Sequence, residues 1–168
     1  MPDLDYEIVL CDRDPEVCRA WRSVFAGLDP IVRCGDPLLE DAEAFVLPVH
    51  RPDSLPSEIL AGLNRVLPGV ELEVAAWPEG SGGLVFTRED QPLPFVVLTP
   101  IAALDSPDVD DRRAYLAMSS ALQAIHDHLR LTGVAISEAI FAGPQDSGTE
   151  ALDVALQMAQ AYLDFCAR

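Results

Sequence analysis

The chain contains no lysine. All eleven of its basic residues are arginine, set against 28 aspartates and glutamates, for a formal net charge of −17. A surface this negative repels nucleic acid and anionic lipid, so neither is expected as a partner. Long apolar runs are also missing. No stretch approaches the ~18 residues of a membrane span, and the acidic opening Met1-Pro-Asp-Leu-Asp-Tyr-Glu7 is the reverse of a secretory leader. The expected compartment is the cytoplasm. Cysteine pairs are absent too: Cys11, Cys18, Cys34 and Cys166 are scattered, with no Cys-x-x-Cys. No metal is therefore expected, and the four thiols read as small buried hydrophobes in a reducing cell. Nor is there a Gly-x-Ser-x-Gly elbow. His126 and His128, two apart on a helix, point to different faces and cannot share an ion. Gly80-Ser-Gly-Gly83 precedes a strand rather than a helix, which makes it a poor phosphate cradle. No cofactor is implied.

Internal repeats, linkers and low-complexity segments are equally lacking. The 168 residues fit one domain, 1–168, large enough to hide roughly 68–70% of the unfolded surface. Tyr6–Leu10 reads as a buried strand. Asp14 and Pro15 then suit an N-cap and a first helical position, opening a helix that carries Val17, Trp21, Val24 and Phe25 on one face and stops at Gly27. Strands are expected at Ile31–Arg33, Ala44–Val49, Leu72–Ala76, Gly83–Thr87, Pro94–Thr99 and Val134–Phe141. Further helices are expected over Ser54–Leu67, over Val109–Leu131 with Asp108 as cap, and from Thr149 to the end. The last of these buries Leu152, Leu156, Ala159, Leu163 and Cys166. Helices alternating with strands predict a three-layer α/β/α sandwich around a mixed, largely parallel sheet.

One stretch stands out, Ile31-Val-Arg-Cys-Gly-Asp-Pro-Leu-Leu-Glu-Asp-Ala-Glu-Ala-Phe-Val-Leu-Pro-Val-His50. A short strand delivers Gly35-Asp36, and a second strand ends on a polar residue. Together with the Ile8-Val-Leu-Cys-Asp-Arg-Asp-Pro-Glu16 opening, the helix bearing Tyr115-Leu-Ala-Met118 and the closing strand–loop–helix, this order resembles the bacterial macro domains, which bind ADP-ribose. The resemblance implies that Asp36 accepts a hydrogen bond from the adenine amino group. It puts His50 where the family carries the asparagine that orients the distal ribose. It also makes Gly143 and Gly148 the remnants of a loop that holds phosphate. Read without it, Asp36 is a turn residue, His50 an incidental strand end, and Gly143–Gly148 a turn before the last helix.

The departures from that pattern concern chemistry. Pro37 has no backbone N–H to offer the adenine ring. Where the family has a glycine-rich loop, Arg51-Pro-Asp-Ser-Leu-Pro-Ser57 has two prolines and no glycine, so neither close approach nor free N–H groups are available. Each missing partner costs on the order of 1–3 kcal/mol. The expectation is a non-catalytic, macro-like protein with lost or weakened affinity for an ADP-ribose-like nucleotide, binding an unknown protein partner or another ligand. The alternative is an ADP-ribosyl hydrolase with a rearranged site in which His50 polarises the ribose or a water. Arg51 is expected to pair with a carboxylate and narrow the ribose region. The opening also echoes a receiver domain, but Pro48 stands at the phospho-acceptor position and the lysine such a site requires is absent.

Overall fold

The computed structural model describes residues 4–49, 57–70, 84–87, 95–100, 112–143 and 150–168. In chain order its elements are β1 (Glu7–Asp12), α1 (Pro15–Val24), β2 (Ile31–Cys34), a 3-10 turn (Pro37–Leu39), β3 (Ala44–Val49), α2 (Ser57–Val66), β4 (Leu84–Thr87), β5 (Phe95–Pro100), α3 (Arg113–Thr132), β6 (Glu138–Ala142) and α4 (Ala151–Cys166). The six strands form one sheet in the order β2-β1-β6-β3-β5-β4. Five run parallel, and β4 pairs antiparallel with β5 at the edge. This is the mixed, largely parallel α/β sandwich expected from the sequence.

The strands are apolar on both faces because both faces are covered. Ile8, Leu10, Ala44, Val46, Phe95, Val97, Ala139 and Phe141 point into one layer, packed by α1, α3 and α4. The residues between them, Val9, Cys11, Phe45, Leu47, Val96, Ile140 and Ala142, point into the other, packed by Leu63, Leu67 and Val70 in and after α2. Crossover handedness explains the division. The chain passes from β1 through α1 to β2, and from β5 through α3 to β6, both times toward the β2 edge. Right-handed crossovers in the same direction place α1 and α3 on the same face, and α2, which follows β3, packs on the other.

Local signals set the helix ends. Asp14 caps α1, its carboxylate accepting from the Glu16 N–H at 2.8 Å, with Pro15 at the first helical position. Gly133, at φ 68°, ends α3 in the left-handed conformation that favours glycine. One apolar stripe of α3 faces the sheet: Met118, Leu122 and Ile125 are buried, while Tyr115 and Leu129 pack beside them.

Two expectations need correction. β6 begins at Glu138 rather than Val134, since Val134 and Ala135 are exposed and outside the ladder. On α4 the buried stripe is Val154, Ala155, Met158, Ala159, Ala161, Tyr162, Phe165 and Cys166. Leu152, Leu156 and Leu163 remain 50%, 52% and 42% exposed. The helix has two apolar stripes, and the one rich in small residues packs inward, because α4 lies against both α1 and α3. The expected strand Leu72–Ala76 and the cap Asp108 lie outside the described residues. Among the described residues, no helix is long and apolar enough to cross a membrane.

Candidate functional site

In an open α/β sheet, ligands bind beyond the carboxyl ends of the strands, where neighbouring strands send their chains to opposite faces. Here those neighbours are β6, which continues into α4 in the three-helix layer, and β3, which continues into α2 on the other side. A cavity of about 230 Å³ lies at this point, lined by Asp12, Arg13, Asp36, Leu47, Glu58 and Ala142, with Pro37, Leu38, Phe45 and Ile59 completing the wall. Its floor is apolar and its rim is charged. Two larger clefts, about 570 and 620 Å³, open at the amino ends of the strands around Tyr6. They contain none of the candidate ligand-binding residues Asp36, His50, Gly143 and Gly148, whereas the carboxyl-end cavity contains Asp36.

Asp12, the last residue of β1, ties the rim together. Its Oδ1 accepts from the Asp14 N–H at 2.8 Å and its Oδ2 from the Gly143 N–H at 3.2 Å. Its backbone carbonyl accepts from the Gly35 N–H at 2.9 Å. One residue thereby joins the turns after β1, β2 and β6. Glycine at 143 leaves room for this: a Cβ there would overlap Asp12 Oδ2 and force that carboxylate to shift. Burial pushes the Asp12 carboxyl above its ordinary range, and the two N–H donors offset only part of that rise. The role of Asp12 depends on β6, 131 positions away, lying beside β1.

Asp36 is placed at this site, but with both carboxylate oxygens engaged. Oδ1 accepts from the Leu38 N–H at 3.0 Å, capping the 3-10 turn. Oδ2 pairs with the Arg13 guanidinium. Arg13 is 65% exposed while Asp36 is 16% exposed, so the arginine lies over the carboxylate from the solvent side. Glu58, from the first turn of α2, faces the same cation. Next to this rim, Arg33 bridges Glu40 at 3.0 Å and Glu138 at 2.9 Å. The structure thus brings Asp36 and Gly143 to one rim through Asp12. His50, Arg51 and Gly148 lie outside the described residues.

The cysteines form a second arrangement that sequence spacing did not suggest. The sulfurs of Cys18 and Cys34 are in contact, joining α1 to the end of β2, with Cα atoms 6.0 Å apart. Cys11 and Cys166 are separate and buried, as expected. Among the described residues, no group of three or more His, Cys, Asp or Glu side chains is placed to hold a metal ion.

Chemically, the rim offers one half-buried carboxyl with a raised pKa, one carboxylate already shared between an N–H and an arginine, and an apolar floor. At 230 Å³ the cavity falls below the roughly 300–1,000 Å³ that encloses a drug-sized ligand. Neither models of known protein families nor curated proteins give a match to this chain.

Proposed function

We propose that this protein is a divergent macro-like module that binds without catalysing, and that its ADP-ribose affinity is lost or weak. One observation carries the reading. The carboxylate assigned to the adenine amino group, Asp36, already accepts from Leu38 and pairs with Arg13, while Pro37 leaves no N–H for the ring. A nucleotide would have to displace the arginine and would find one partner fewer, at a cost on the order of 1–3 kcal/mol for each lost partner. That is roughly tenfold in affinity per 1.4 kcal/mol. The module then acts through a protein partner or a smaller ligand in the cytoplasm, its acidic surface selecting against nucleic acid. Titration calorimetry with ADP-ribose is expected to show no binding at low micromolar concentration. A low-micromolar dissociation constant would overturn the reading.

A second reading, from the enzyme class, draws on Asp12. A carboxyl whose pKa is raised at the rim of a cavity suits general acid–base work, and an ADP-ribosyl hydrolase with a rearranged site would use it alongside His50. Release of ADP-ribose from a modified protein, abolished by Asp12→Asn in a folded variant, would favour this reading over the first.

A further inference from the structure

We propose that Cys18 and Cys34 form a reversible dithiol–disulfide site, oxidised by peroxide, that latches the turn bearing Asp36 onto α1. The pair combines an exposed sulfur with a buried one: Cys34 ends β2 at the surface, whereas Cys18 in α1 is 0% exposed. Their Cα separation of 6.0 Å lies in the range a disulfide spans without backbone movement. The reduced state is accommodated as well. Cys18 Sγ lies 3.2 Å from the Asp12 carbonyl oxygen and 3.8 Å from that of Arg33, so a free thiol has acceptors where it stands.

The neighbouring thiol does not compete. Cys11 is wholly buried, directs its S–H toward the Gly35 carbonyl at 3.6 Å, and is pushed up to about 11 by burial, which keeps it protonated at neutral pH. The exposed thiol therefore reacts first and the buried one resolves it. The Cys34 thiolate attacks the O–O bond of a peroxide, takes one oxygen as a sulfenic acid and expels hydroxide, which leaves as water. The Cys18 sulfur then attacks the Cys34 sulfur. The S–S bond forms, the sulfenic oxygen departs as a second water with the Cys18 proton, and the peroxide has gained two electrons. A dithiol reductant reverses the bond by exchange.

The latch acts on the candidate site by position. Gly35 and Asp36 follow Cys34 directly, the Gly35 N–H holds the Asp12 carbonyl at 2.9 Å, and Asp36 forms one wall of the cavity. Closing the 16-residue separation between Cys18 and Cys34 restricts how this segment opens. The inference does not depend on what the cavity binds.

Intact-mass measurement of the full chain after treatment with one equivalent of hydrogen peroxide tests the chemistry. The expected result is the loss of two hydrogens, reversed by dithiothreitol, absent in Cys34→Ser and retained in Cys11→Ala. Hydrogen exchange tests the latch: amides from Gly35 to Leu39 should exchange roughly tenfold more slowly in the oxidised chain. The proposal is overturned if Cys34→Ser still loses two hydrogens, if wild type only gains oxygen, or if exchange in that segment is the same in both redox states.

Discussion

Along β1, Ile8, Val9, Leu10 and Cys11 are buried in alternating layers, none more than 3% exposed, and none bears a charge. One residue further, Asp12 receives two N–H donors on its side chain and a third on its carbonyl, and turns three chain segments around itself. The interior of the sheet is held by apolar contact, which is non-directional and tolerates many side chains of suitable size. The rim is held by hydrogen bonds and an ion pair, which demand particular atoms at particular distances. Interior positions should therefore lose the most stability when truncated, and rim positions should lose less while altering the cavity more specifically.

The largest effect belongs to the interior. Phe141 on β6 is 1% exposed, with its ring in the three-helix layer. Phe141→Ala is expected to cost about 3–5 kcal/mol, read as a lowered denaturant midpoint in equilibrium unfolding. A loss near zero would mean that the centre of the sheet is far less tightly packed than its burial indicates, and the contrast with the rim would fail.

An intermediate effect is expected where the two regions meet. Gly143 directly follows β6, and an added methyl would overlap Asp12 Oδ2. Gly143→Ala has to displace a half-buried carboxylate from one of its donors, at a cost of about 1–3 kcal/mol. The same variant reports on charge. The Asp12 carboxyl is raised above its ordinary range by burial, so its contribution to stability is fully present below that range and is lost as the pH rises through the raised value. Pushing the carboxylate away from the residue-143 N–H weakens a bond that favours the charged form. The Asp12 carboxyl should then titrate still higher in Gly143→Ala, as carboxyl NMR would show; an unchanged or lower value would mean that this N–H does not hold Asp12.

The same contrast explains what could be read from the sequence. Strands buried on both faces appear as short continuous apolar runs such as Ile8–Cys11 and Phe45–Leu47, and these were legible. So were Asp14 and Pro15, whose capping is local. The inward face of α4 was legible only at Ala159 and Cys166, because Leu152, Leu156 and Leu163 outweigh Ala155 and Ala161 in hydrophobicity. The small side chains face inward because they let α4 approach α1 and α3 closely, a demand set by neighbours far away in the chain. The rim failed for a related reason. Asp36 was recognisable as a turn residue at a strand end, but Arg13, which engages it, is 23 positions away. The contact between Cys18 and Cys34 likewise exists only because β2 lies beside β1.

The smallest effect is expected at the outermost contact of the rim, where Arg13 and Asp36 pair. Arg13 is 65% exposed, and an ion pair with so much access to water is screened by salt and costs side-chain entropy to hold. Arg13→Ala should therefore leave stability almost unchanged. Asp36→Ala removes the same pair and also the cap on the Leu38 N–H, a contribution of about 0.5–2 kcal/mol, so it should be the more damaging of the two. Adding salt should shrink the Arg13 effect and leave most of the Asp36 effect in place, because the cap is a short-range hydrogen bond. Equal losses for both variants, or an Asp36→Ala loss that disappears in salt, would assign Asp36 to the ion pair rather than to the turn.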